Sequence, residues 1–221
     1  MKLLVALLSL LALCLMLAAV PAAAQVVYNN GPIYGNTDAW TFNFGWIQSD
    51  SFTVSGGNST ITGLSFGAWL SPGDILTSAE VWITSGEGGG TSYFNQVVDF
   101  AQSNCQMNHY GYNVCTEMGS FNGPSLNNGT YWLNLENGSV PSGDPVYWDE
   151  NSGIGCTSPG CPSEASNNSG TMPSESFTVL GSESSTTTST TTTGTVPEPG
   201  SLMLFASGFF GVTAMLRRKL L

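Results

Sequence analysis

Between Gln25 and Glu183 the apolar positions recur in short runs, each closed by a cluster of Gly, Pro, Asn or Ser. Within Ser59–Leu70 they alternate: Leu64, Phe66, Ala68 and Leu70 fall on one face, Ser65 and Gly67 on the other. Val81 and Ile83 oppose Glu80, Trp82 and Thr84 in the same way, and Tyr131, Leu133 and Leu135 oppose Trp132 and Asn134. A period of two is the mark of a half-buried strand. The pattern predicts strands over Trp40–Ile47, Asp50–Val54, Ser59–Leu70, Ala79–Ser85, Tyr93–Ala101, Thr130–Leu135, Val146–Trp148 and Glu175–Leu180. No window has the spacing of a long amphipathic helix. Residues 25–183, roughly 160 in number, suffice for one hydrophobic core. The expectation is an all-β, antiparallel sandwich, jelly-roll-like or immunoglobulin-like. Ser49–Val54 and Ser174–Val179 echo each other (SDSFTV and SESFTV), which fits similar strands in similar sheet positions, with the first and last strands close together.

The two ends of the chain have a different texture. Met1-Lys2, the apolar run Leu3–Val20 and Ala22-Ala23-Ala24 form a secretory signal pattern over residues 1–24. Residues 184–195 are almost entirely Ser and Thr and read as a stalk-like linker. Val196-Pro197-Glu198-Pro199-Gly200 follows, then an uncharged apolar run, then Arg217-Arg218-Lys219. Gly200–Leu216 as a helix would be roughly 25 Å long, at the short end of what crosses a bilayer core of about 30 Å. The three cations would keep the C-terminus on the cytoplasmic side of the inner membrane. This order of parts, over residues 196–221, resembles the PEP-CTERM sorting signal of bacterial exported proteins. The resemblance implies that Pro197, Glu198 and Pro199 are read by an exosortase-type membrane sorting enzyme. It also implies that Arg217, Arg218 and Lys219 form the basic stop, and that the product goes to the cell surface or to exopolysaccharide.

Charge narrows the function further. All four Lys and Arg lie in the two terminal segments, so residues 25–195 carry none, while fourteen of the fifteen acids fall there. Nucleic-acid binding needs cations to displace counterions from phosphates, and none are present. Arginine clamps on anionic substrates are excluded for the same reason. An acids-only domain is also expected to be most stable at acidic pH.

The remaining candidate chemistry is sparse. Four cysteines lie in the exported region, and an oxidising compartment favours the pairs Cys105–Cys115 and Cys156–Cys161 over a zinc site that includes His109. His109 is the single histidine, and no nucleophile elbow accompanies it. Asp144-Pro-Val-Tyr147-Trp148-Asp149-Glu150-Asn151 is the densest polar and aromatic stretch. Asp144, Asp149, Glu150 and Asn151 could offer hard oxygens to Ca²⁺. Trp132, Tyr147 and Trp148 could form a sugar-stacking platform. Paired carboxylates could cleave a glycoside, although neighbours on a strand point to opposite faces. The plainer alternative puts Trp148 in the core and the acids in a solvated turn. The blocks Leu64–Thr77, Thr130–Leu133 and Gly143–Ser152 also resemble a group of uncharacterised PEP-CTERM surface proteins, which implies a β-sandwich ectodomain and no known activity. The reading is a non-enzymatic surface or matrix protein, with a lectin-like, Ca²⁺-assisted module as the alternative and a glycoside-active enzyme third.

Overall fold

In chain order the strands are β1 (Gln25–Asn29), β2 (Ala39–Thr41), β3 (Gln48–Val54), β4 (Ser59–Leu70), β5 (Ser78–Gly86), β6 (Gly89–Met107), β7 (Asn113–Ser120), β8 (Ser125–Leu126), β9 (Gly129–Ser139) and β10 (Tyr147–Asp149), followed by β11 (Glu164–Ala165), β12 (Gly170–Thr171) and β13 (Phe177–Glu183). They come from a computed structural model that describes residues 24–151, 164–165, 170–171 and 174–183. The signal segment, the 184–195 linker, Cys156, Cys161 and the whole tail with Pro197, Glu198, Pro199, Arg217, Arg218 and Lys219 lie outside the described residues. Among the described residues there is no helix long and apolar enough to cross a membrane.

The fold is all-β and antiparallel, as expected. Its strands form one curled sheet in the order β1-β13-β4-β7-β6-β5-β9-β3-β11-β12, with β10, β2 and β8 attached to the β4 side. The corner is β6. Its first part pairs with β5 up to Asp99, opposite Ser78, and its second part pairs with β7 from Phe100, opposite Gly119. At the changeover the Phe100 N–H donates to the Thr77 carbonyl at 3.1 Å. A single long strand thus carries the chain from one layer to the other.

The alternation read from the sequence decides which residues lie between the layers. Leu64, Phe66, Ala68 and Leu70 of β4 are buried, as are Val81 and Ile83 of β5 and Leu133 and Leu135 of β9. Phe66 sits at the centre, edge-on to Phe42, Phe100 and Trp148 at 5.9, 5.3 and 6.0 Å between ring centroids. Each such side chain, fully removed from water, stabilises the fold by roughly 1.5–3 kcal/mol.

Three expectations need correction. Trp40–Ile47 is not one strand. The chain leaves β2 after Thr41 and turns through Phe44 (φ 57°) and Gly45 (φ 84°), where the Trp46 N–H donates to the Asn43 carbonyl at 3.1 Å. Tyr93–Ala101 is the middle of the much longer β6. β1 and β7 were not anticipated; in β7, Glu117 occupies an inward position and Met118 an outward one, which reverses the usual pattern.

Candidate functional site

Strand β10 decides where the polar and aromatic stretch goes. It lies between β4 and β2, with Tyr147 opposite Trp69 and Thr41, and Trp148 opposite Ala68 and Trp40. Alternation sends Trp148 inward with Ala68, and sends Tyr147 and Asp149 to the outer face with Trp69. Trp148 is fully buried, and its indole N–H donates to the Ser176 carbonyl at 3.0 Å.

Asp149 is also fully buried, beneath a loop that crosses this outer face. It accepts four hydrogen bonds: from the backbone N–H groups of Tyr34 and Gly35 (2.8 Å each), the indole N–H of Trp69 (2.7 Å) and the Ser176 hydroxyl (3.1 Å). Burial raises its pKa, and these four donors offset only part of the rise. The loop can approach because position 67 is glycine. A Cβ there would stand 2.7 Å from Ser176 Oγ, 2.8 Å from Asp149 Cβ and 2.9 Å from Ile33 Cγ2.

A second wall comes from the turn between β6 and β7. Asn108 organises it: its side-chain oxygen accepts from the N–H groups of Tyr110 and Tyr112, both at 3.0 Å, and Gly111 takes the φ of 88° that closes the turn. The expected Cys105–Cys115 disulfide staples its base. The turn is tied to the 31–38 loop by Asn108 Nδ2 donating to the Gly35 carbonyl (3.1 Å) and by His109 Nδ1 lying 3.0 Å from Asn36 Oδ1. His109, as expected, is an exposed loop residue.

Together these elements enclose a cleft of about 400 Å³. Its aromatic walls are Trp69, Tyr110, Tyr112 and Tyr147, and its rim is Thr37, Asp38 and Ala39. Tyr110 stacks on Trp69 at 5.5 Å and 28°, and Tyr112 meets Tyr147 edge-on at 5.5 Å and 71°. The Tyr147 phenol is pushed up to about 12 by burial, by a hydrogen bond with Tyr112 and by the charges of Tyr112 and Asp144, so it is a neutral donor at any ordinary pH.

A separate group of acids lies inside the fold. The two echoing segments face one another from opposite layers: the Glu175 N–H donates to Asp50 Oδ2 at 3.0 Å, and Asn30 Nδ2 donates to the same oxygen at 2.8 Å. Glu150 joins them through an antiparallel bridge to Glu175, and its carboxylate accepts from the Trp40 indole at 2.5 Å. Burial pushes Asp50 up to about 7 against the hydrogen bonds that lower it. Glu175 rises well above the usual carboxylate range, first through burial and then through the charges of Asp50, Glu150, Asp149 and Asp38. Glu117, buried beside Phe66 on the neighbouring strand, is pushed up to about 7 by burial.

The sequence-nominated residues therefore separate. Trp132 lies on the outer face of the other layer, across β3 from Ser51, while Tyr147 lies on the outer face of this one and Trp148 between them, so the three form no single platform. Asp149 has its oxygens filled by protein donors, Glu150 turns inward to Trp40, and the Asn151 amide donates to the Asn30 and Glu175 carbonyls. Among the described residues no three His, Cys, Asp or Glu side chains are grouped to hold a metal ion. The sequence reading passed over Trp69, Tyr110 and Tyr112. The available signal was a tryptophan on the polar face of an alternating strand, and two tyrosines inside a cysteine-bracketed turn.

Residues 195–219 match the family model of the PEP-CTERM protein-sorting motif. No curated protein and no solved structure matches the chain.

Proposed function

We propose that this is an exported, non-catalytic surface or extracellular-matrix protein. In this reading an exosortase-type membrane enzyme takes it through its tail, and outside the cell it associates with exopolysaccharide. The observation that carries the reading is the PEP-CTERM match at residues 195–219. Pro197, Glu198 and Pro199 are the recognition element, the apolar run 200–216 holds the chain in the inner membrane, and Arg217, Arg218 and Lys219 stop it there.

A non-catalytic ectodomain is supported by how the acids are used. Glycoside cleavage needs two carboxyl groups facing each other at roughly 5–10 Å across a cleft. Among the described residues the aromatic cleft is lined by one carboxylate, that of Asp38. Asp149, which holds the Trp69 wall of the cleft, serves four internal donors instead.

The test is to express the full chain in a bacterium with an exosortase and in the same strain lacking it. The wild-type chain should lose its tail and reach the surface only in the first strain. Replacing Pro197, Glu198 and Pro199 together by alanine should leave a full-length product in the membrane fraction of both. Unchanged processing of the alanine variant, or processing without the enzyme, would refute the assignment.

A further inference from the structure

The geometry points to the cleft between the 31–38 loop and the β6–β7 turn as a binding site for a neutral saccharide ring, with Tyr110 as the stacking surface and the Tyr112 and Tyr147 hydroxyls and Asp38 as its polar contacts. The inference deepens the reading above and rests on it only for the extracellular setting. Three observations carry it.

The first is shape. At about 400 Å³ the cleft lies within the roughly 300–1,000 Å³ of small-ligand sites. It is a shelf and not a cage: Trp69 is buried beneath Tyr110 at 28° to it, the His109 ring lies 3.7 Å from Tyr110, and Tyr110 keeps 55% of its surface exposed. A flat ring settles on one such face. A quaternary ammonium group needs several faces aimed at one point.

The second is the mixture of contacts. The C–H face of a pyranose is apolar and slightly positive, which suits the negative face of an aromatic ring. Its edge is a row of hydroxyls. Beside the shelf stand two phenols, held edge-on to each other, and the Asp38 carboxylate, so that edge offers both donors and acceptors.

The third is charge. Residues 25–195 hold no Lys or Arg to pair with a uronate, sulfate or phosphate, and Asp38 at the rim would repel one. A glycan taken here is therefore without acidic groups.

The site is also built, and not a chance gap. Buried Asp149 fixes both the floor, through the Trp69 indole, and one wall, through Tyr34 and Gly35. The disulfide fixes the other wall.

The experiment uses the full chain purified in detergent, titrated with dextran, laminarin, mannan and cellohexaose as neutral probes, and with alginate and choline as charged ones. At least one neutral glycan should bind. Tyr110→Ala should weaken that binding about tenfold in a chain that still unfolds in a cooperative thermal transition. Tyr147→Phe, which keeps the ring and removes the hydroxyl, should weaken it severalfold. Tyr93→Ala, an exposed tyrosine on the other layer, should leave it unchanged. The inference is overturned if none of the neutral glycans binds, if alginate or choline binds in their place, or if binding survives Tyr110→Ala intact. Each of these outcomes is independent of whether the tail is processed.

Discussion

Asp149 shows how one side chain can be read correctly for its type and wrongly for its job. Its place in a dense acidic stretch suggested a calcium ligand, yet its two oxygens receive four protein donors. Asparagine at this position would offer one acceptor oxygen and would turn an N–H group towards donors. A buried donor left without a partner costs about 1–3 kcal/mol. Asp149→Asn should therefore lower unfolding stability by roughly 2–4 kcal/mol in urea titrations, and loosen Trp69 and the Tyr34–Gly35 loop together. Asp144→Asn is the comparison. Asp144 is partly exposed and makes its visible hydrogen bonds through backbone atoms, so it should change stability by no more than about 0.5 kcal/mol. Equal effects from the two substitutions would show that Asp149 is not the organiser described here.

The turn between β6 and β7 is the element on which the cleft depends, and its cross-link is the part of it that was legible from spacing. Cys105 and Cys115 bracket ten residues of sequence separation, for which loop-closure entropy alone amounts to about 2–3 kcal/mol. Replacing both by serine should cost about that much. It should also raise amide exchange at Asn108–Asn113 while leaving β5 and β9 protected; uniform deprotection of both layers would contradict this local role. What surrounds the cross-link was not legible. Alternation assigned Leu64, Phe66, Ala68 and Leu70 to the core because a period of two survives in the composition of β4. It could not say that β10 would dock between β2 and β4, because that pairing joins residues about eighty to a hundred and ten positions apart. The approach of Trp69 to Tyr147, and hence the cleft, follows from that long-range pairing. β7 was hidden for another reason: an ionisable Glu117 at a core position breaks the binary pattern that marks strands.

Taken as a whole, the domain holds a group of acids inside without a Lys or Arg to answer them. Asp50 and Glu117 are raised to about 7, and Glu175 is raised well above the usual carboxylate range, with burial the first cause in each. An unfolded chain releases these protons near pH 4. Between about pH 4 and 7 the folded state therefore binds more protons than the unfolded one, so stability must fall as pH rises. The stabilisation is fully present below the unfolded pKa and is lost as pH climbs through the folded one. The slope is roughly 1.4 kcal/mol per pH unit for each such group, and for Asp50 and Glu117 it flattens above about 7. Urea midpoints measured from pH 4 to 8 should decline across that window. Glu117→Gln keeps the shape of the side chain and removes its titration, so it should flatten the decline by one group's share and raise the midpoint at pH 8 relative to the wild-type chain. A midpoint that rose from pH 4 to 7 would mean that the interior carboxyls are charged in the folded state and are answered by groups other than those that surround them here. The direction matters outside the cell, where no cytoplasmic buffering fixes pH: acidification would tighten this fold, and alkaline conditions would loosen first the seam where Asp50 and Glu175 face each other.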